Sequence, residues 1–163
     1  RHADGPRVLI LRDYHAENLL WLPARQGLAR VGLLDFQLAQ MGQPGYDLVS
    51  LLQDARRDVS RETETAMIRR LAGNAGQAAA DFAVSYAVLG AQRALRILGI
   101  FARLCLVAGK PGYLALLPRV WEQLQRNLAV PELAPLARLC DRLLPEPTEA
   151  HLARIREKCG HFR

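Results

Sequence analysis

The feature that most limits what this chain can fold into is a change of hydrophobic period near Pro44-Gly45. Up to about Gln37, apolar residues come in runs of four: Val8-Leu9-Ile10-Leu11, Leu19-Leu20-Trp21-Leu22 and Val31-Gly32-Leu33-Leu34. Runs this short and this apolar fit buried strands better than helices of ten residues or more. Pro23 to Arg30, with Gly27 inside it, reads as a hairpin connection between the second and third runs. Beyond Pro44-Gly45 the period becomes helical. Leu48, Val49, Leu51, Leu52 and Ala55 fall on one face, which leaves Ser50, Gln53, Asp54 and Arg57 for the other. Ser60 suits the N-cap of a second helix, with Glu62 and Glu64 in its first turn and Met67, Ile68, Leu71 and Ala72 as its inward stripe; Gly73-Asn74-Ala75-Gly76 can stop it. A long helix from about Ala78 to Ala108 follows, ended by Gly109-Lys110-Pro111-Gly112. Three more are expected at Leu114–Leu128, Leu133–Leu144 and Thr148–Lys158, the last capped by Thr148. The expected fold class is α+β, mostly helical, with a short β unit at the N-terminal end.

Composition removes several function classes. A length of 163 residues suits one globular domain, and 50% hydrophobic residues with a net charge of +6 do not suit disorder. No stretch without a charged side chain is longer than Phe82 to Gln92, which is shorter than a membrane-spanning helix needs, so no membrane partner is expected. The basic residues are spread over helical segments with no block of five like charges, which argues for solvated helix faces over a nucleic-acid surface. Cys105, Cys140 and Cys159 are odd in number and set in apolar text, as buried small hydrophobes of a reducing, cytoplasmic compartment would be. Cys159 and His161 lack a second Cys/His pair to complete a tetrahedral metal site, and a frayed C-terminus is expected there.

The chemistry-bearing text is Leu11-Arg12-Asp13-Tyr14-His15-Ala16-Glu17-Asn18, followed by Leu34-Asp35-Phe36-Gln37. Asp13 leaves the first apolar run, Asn18 precedes the second and Asp35 closes the third. If the second and third runs pair as a hairpin, Asn18 and Asp35 lie at the same end. Such oxygen ligands suit a hard cation such as Mg²⁺, which completes its shell with water and phosphate oxygens. Asp13 and Asp35 also suit ordinary strand-end turns, and Asn18 a turn former. His15 reads as an orienting or packing residue more readily than as a base. Arg12 and Glu17 read as solvated loop charges. Tyr86 and Arg93, on one face of the long helix, suit core packing and a surface ion pair more readily than a sugar pocket.

Asp-x-x-x-x-Asn followed by Asp-Phe is the layout of a kinase catalytic loop and its metal-binding acid. With Gly42-Gln43-Pro44-Gly45-Tyr46-Asp47-Leu48 added, the chain resembles the aminoglycoside phosphotransferase and choline kinase superfamily. Within it, residues 11–21 and 46–56 look most like the bacterial cell-wall sugar kinases, which phosphorylate the anomeric hydroxyl of N-acetylmuramate and N-acetylglucosamine. The resemblance spans essentially the whole chain and is most specific over the first 57 residues. It implies a protein-kinase-like C-terminal lobe, Asp13 as catalytic base, Asn18 and Asp35 as Mg²⁺ ligands, and Asp47 with His15 as structural support of the catalytic loop. Leu11 departs from the family's usual His, and Gln37 from the Gly of protein kinases.

The implied function is ATP- and Mg²⁺-dependent phosphotransfer to a hydroxyl of a small molecule, an amino sugar by preference. No glycine-rich phosphate loop occurs, and the two lysines, Lys110 and Lys158, both fall in the helical half. Residues 1–163 are therefore expected to be the catalytic and substrate-binding lobe, without the N-terminal nucleotide-binding lobe and inactive or slow alone. An aminoglycoside kinase and a non-catalytic ligand-binding lobe are the alternative readings. A basic nucleic-acid binder is a weaker one. Choline is disfavoured, because its quaternary ammonium usually needs an aromatic cage.

Overall fold

The structure is a computed structural model that describes residues 2–74, 76 and 78–162. Arg1, Ala75, Gln77 and Arg163 lie outside the described residues, and with them the Ala75 part of the expected helix stop. The backbone groups into two compact units, Arg1–Leu89 and Gly90–Arg163, where length alone suggests one domain.

The first unit holds four short strands, β1 (Val8–Ile10), β2 (Leu19–Trp21), β3 (Val31–Leu33) and β4 (Gln40–Gly42). They form two separate antiparallel ribbons. Strands β2 and β3 make the expected hairpin, with Leu19 opposite Leu33 and Trp21 opposite Val31. The Arg30 guanidinium lies over the Trp21 ring at 4.9 Å, a cation–π contact at the hairpin's far end. Strand β1 pairs with β4, Val8 opposite Gly42 and Ile10 opposite Gln40. Gln40-Met41-Gly42 carries no strand signal of its own; it is extended because it completes the edge of β1.

The expectation of buried strands is corrected. Ile10 is buried, but Leu9 is 66% exposed, Trp21 64% and Leu28, in the hairpin connection, 95%. A two-stranded ribbon covers at most one of its faces, so an apolar run on it remains largely open.

Below the ribbons lie α1 (Tyr46–Leu52) and α2 (Arg61–Asn74), followed by α3 (Ala79–Leu106), which gives its first eleven residues to this unit. Ser60 caps α2 as expected, its Oγ accepting from the Thr63 amide at 3.2 Å. The core consists of Val49, Ala72, Phe82 and Tyr86, with Leu48, Ile68, Leu71 and Leu89 packed around it. Burying Val49 and Phe82 contributes about 1.5–3 kcal/mol each.

The polar face expected on α1 is also corrected, because Ser50, Gln53 and Asp54 are buried. Each has a compensating bond. Ser50 Oγ donates to the Arg12 carbonyl at 3.4 Å, Asp54 Oδ1 accepts from the Arg56 amide at 2.9 Å, and Gln53 Nε2 donates to Glu64 Oε1 at 3.0 Å. Glu64 lies in the first turn of α2 as expected but is also buried there, and it accepts the Tyr86 hydroxyl at 2.8 Å. Tyr86 is thus a core residue. Burying these groups is tolerable because each is hydrogen-bonded.

The second unit contains the rest of α3, then α4 (Leu117–Leu128), α5 (Ala134–Leu143) and α6 (Glu149–Glu157), with 3₁₀ segments at Pro111–Leu116 and Pro131–Leu133 before α4 and α5. Leu117, Val120, Leu124 and Leu128 make the buried stripe of α4. Thr148 caps α6 as its spacing predicts, its Oγ1 accepting from the His151 amide at 3.3 Å. The C-terminus is docked, not frayed: the Gly160 amide donates to the Cys105 carbonyl at 3.0 Å and the Phe162 amide to the Leu106 carbonyl at 3.1 Å. The last turn of α3 leaves carbonyls without helical partners, and the tail supplies the donors.

By length and composition α3 is long and apolar enough to cross a membrane; its 28 residues have a window of mean hydropathy 1.2, a third of it buried. The expectation drawn from uncharged stretches alone missed this, since Arg93 and Arg96 interrupt the apolar text without ending the helix. Phe82, Tyr86, Ala87, Ala91, Ala94, Phe101 and Cys105 line its buried side, as in the core helix of a globular protein.

Candidate active site

The loop between β1 and β2 is tied to α1. Asp47, in the first turn of α1, accepts the Leu11 amide on Oδ2 at 2.7 Å and the Arg12 amide on Oδ1 at 3.0 Å. Both bonds are charge-assisted and together fix the loop's direction. The turn they enforce is tight: Arg12 has φ of 70°, in the left-handed region that a side chain rarely enters. The Ser50 hydroxyl on the Arg12 carbonyl is a third tie from α1. Sequence reasoning missed Ser50 because helical spacing put it on the outer face.

Beyond Arg12 the chain presents Asp13, exposed, at the head of the loop. Asn18 closes it. Its Nδ2 donates to the Asp13 carbonyl at 2.8 Å and lies 3.3 Å from His15 Nε2. An amide Nδ2–H can only donate, so Nε2 is the acceptor in this contact. With both amide hydrogens of Asn18 so directed, its Oδ1 is the atom left to meet a ligand. His15 therefore orients Asn18.

The hairpin brings the remaining acid to the same end. The Leu34 amide donates to the Asn18 carbonyl at 2.9 Å, one step past the Leu19–Leu33 pair, and Asp35 follows directly. Asp35 is exposed and has φ of 54°, a second non-glycine residue in the left-handed region. Gln37 Nε2 donates to Asp35 Oδ1, which leaves Oδ2 open. The Gln at this position, a departure from protein kinases, is thus used to orient the acid. Glu17 pairs with Arg56 at 3.6 Å across the outside of the loop, with both side chains substantially exposed. That pair was missed as well, since 39 positions separate its partners in sequence.

An amide oxygen and a carboxylate oxygen are both hard oxygen donors. This set fits Mg²⁺, which takes one or two such groups and keeps the rest of its octahedron for water and phosphate oxygens. Among the described residues no group of three His, Cys, Asp or Glu side chains is close enough to form a metal site by itself, so a cation here would depend on an amide and on its substrate's oxygens.

Residues 1–84 match the model of a phosphotransferase enzyme family. Over 142 residues the chain is 51% identical to an N-acetylmuramate/N-acetylglucosamine kinase of Caulobacter vibrioides, covering 86% of this chain and 39% of that protein. Proteins of the same name from Pseudomonas aeruginosa and Neisseria meningitidis serogroup B are 36% identical over 155 residues and 37% over 147. They are covered to 44% and 42% of their lengths, so the chain spans about two-fifths of the curated relatives it matches. The clamped loop, the paired hairpin and the family match over the first half of the chain agree: this chain belongs to the phosphotransferase enzyme family.

Proposed function

We propose that the protein is an ATP-dependent kinase of a small molecule, acting on an amino sugar of the N-acetylmuramate or N-acetylglucosamine type in the cytoplasm. Residues 1–163 would form its catalytic and substrate-binding lobe, with a further lobe cradling the nucleotide. The observation that carries this reading is the β2–β3 register, which sets Asn18 and Asp35 at one end of a hairpin while Asn18 also holds the loop of Asp13. The names of the relatives support the substrate class.

In this reading Asp13 accepts the proton of the sugar hydroxyl as its oxygen attacks the terminal phosphorus of ATP; the bond to the bridging oxygen breaks and ADP departs. Asn18 Oδ1 and Asp35 would hold Mg²⁺, which supplies positive charge for the phosphate oxygens. Asp47 and His15 touch neither substrate nor phosphate and act by positioning, Asp47 through two loop amides and His15 through the Asn18 amide. Gln37 does the same for Asp35.

The test is ATP consumption by a protein spanning the relatives' full length, offered N-acetylmuramate, N-acetylglucosamine, aminoglycosides and choline. Turnover with the N-acetyl sugars is expected, and turnover with aminoglycosides alone would overturn the substrate class. Asp13→Ala should lower kcat by about three orders of magnitude or more while the unfolding temperature stays unchanged. Near-normal turnover in that variant would remove Asp13 from its role.

A further inference from the structure

The second unit contains a cavity of about 630 Å³, a size typical of small-ligand sites, that includes none of the residues assigned to phosphotransfer. Its floor is apolar, built from Leu98 and Ala102 of α3, Trp121 of α4, Ile155 of α6, and Phe162 of the docked tail. Its charged groups are unevenly distributed. His151 and Arg154 of α6, with Lys158 at its C-cap, line it at spacings of three and four residues that stack them along one side. The only carboxylate among the lining residues is Glu146, whose carbonyl receives His151 Nδ1 at 2.8 Å and so ties the 144–147 loop to the helix. Arg154 and Lys158 have no carboxylate within ion-pair distance among the described residues.

An apolar floor with unneutralised cations at its edge matches one ligand chemistry. A sugar would leave its hydroxyls unpaired against leucine and tryptophan, and a cationic amphiphile would meet Arg154 and Lys158 with like charge. We propose that this cavity binds a free single-chain amphiphile with an anionic head, of the long-chain carboxylate class, its tail against α3 and Trp121 and its head at Arg154 and Lys158. The site stands apart from the phosphotransfer reading and survives that reading's failure.

The cavity reports on itself, because Trp121 lines it and Trp21, exposed in the hairpin, is the only other tryptophan. In a Trp21→Phe background, Trp121 emission is followed during titration with dodecanoate, dodecanol and dodecyltrimethylammonium, each below its micelle concentration. Dodecanoate should bind saturably and roughly tenfold more tightly than dodecanol, with the ammonium weakest. Joint replacement Arg154→Gln and Lys158→Gln should bring dodecanoate down to the affinity of dodecanol without moving dodecanol itself. Gly99 also lines the cavity, and a Cβ built on it meets nothing within 4 Å, so Gly99→Phe should fill the space and abolish binding of both with helix content unchanged. Equal affinity for acid and alcohol, indifference to the double substitution, or the absence of saturable binding would overturn the proposal. Trp121 emission that follows protein concentration but not dodecanoate would overturn it as well, by showing a second copy seated on the face.

Discussion

Two side chains in the left-handed backbone region, Arg12 and Asp35, mark the two ends of the candidate site. A non-glycine residue held there costs about 1 kcal/mol or more, and the surroundings must offset it. At Arg12 the offset is visible in the carboxylate of Asp47, whose two bonds to loop amides contribute about 1.5–3 kcal/mol each by the usual strength of bonds to a charged group. The clamp therefore outweighs the strain. Asp47→Ala should lower unfolding stability by about 2 kcal/mol in a denaturant titration. In the full-length protein it should lower kcat by about a hundredfold, as misplacement of a catalytic group does, with Asp47→Asn recovering part of both. Unchanged stability in the alanine variant would show that the clamp carries no load. The places of Asp13, Asn18 and Asp35 at strand ends were legible in the sequence because they depend on spacing along one strand–loop–strand unit, and the tie from Asp47 to the loop is the one the resemblance implied. The left-handed backbone at Arg12 and Asp35, and the partners Ser50 and Gln37, were not, since each depends on what the tertiary fold places alongside.

Among the elements, those with strong period were legible to within a few residues: α3, α4 and α6 begin and end close to where Gly109, the leucine spacing and Thr148 place them. Two classes were not. Strand β4 has three residues and no apolar alternation, and it is extended only because β1 offers it an open edge. Helix α1 has a polar face on paper, yet its polar residues are the ones that bind the loop and Glu64. Spacing reports which residues share a face but not whether a polar partner awaits the polar face. Contact between elements also reverses a propensity rule at Gly90, in the middle of α3. Alanine there would gain about 1 kcal/mol of helix propensity. Its Cβ, however, would lie 2.7 Å from both Cγ and Oδ1 of Asn127 on α4, a buried side chain. Overpacking costs about 1–3 kcal/mol, so Gly90→Ala should lower the unfolding midpoint, and a raised midpoint would show that Asn127 can turn away.

At the scale of the whole molecule, the second unit is tied together where the tail meets the end of α3. Cys105 is fully buried there, its thiol donates to the Ile155 carbonyl at 3.9 Å, and Cys159 Sγ donates to the Cys105 carbonyl at 3.3 Å. Burial first, and then the Cys159 thiol beside it, push the Cys105 thiol above its ordinary range, to about 11. The folded state thus holds this proton more tightly than the unfolded one. The resulting stability is fully present below pH 9.0 and is lost as pH rises towards about 11. Stability measured across that window should fall with rising pH, and Cys105→Ala, though less stable throughout, should show a shallower fall. Equal slopes would place the alkaline sensitivity elsewhere. The docked tail was not legible from the sequence because its bonds are backbone amides to the carbonyls of Cys105 and Leu106, which carry no residue signature.

The open ribbons of the first unit bear on how the molecule behaves in a test tube. Leu9, Leu20, Trp21, Phe36 and Met41 stand exposed beside unpaired strand edges, the combination that drives chains to stick edge to edge. Produced as these 163 residues alone, the protein should need solubilising partners or low concentration, and its scattering should grow with concentration and shrink when Leu9 and Met41 are replaced by lysine. A weak phosphotransfer signal from that preparation would then measure colloidal loss before it measured chemistry.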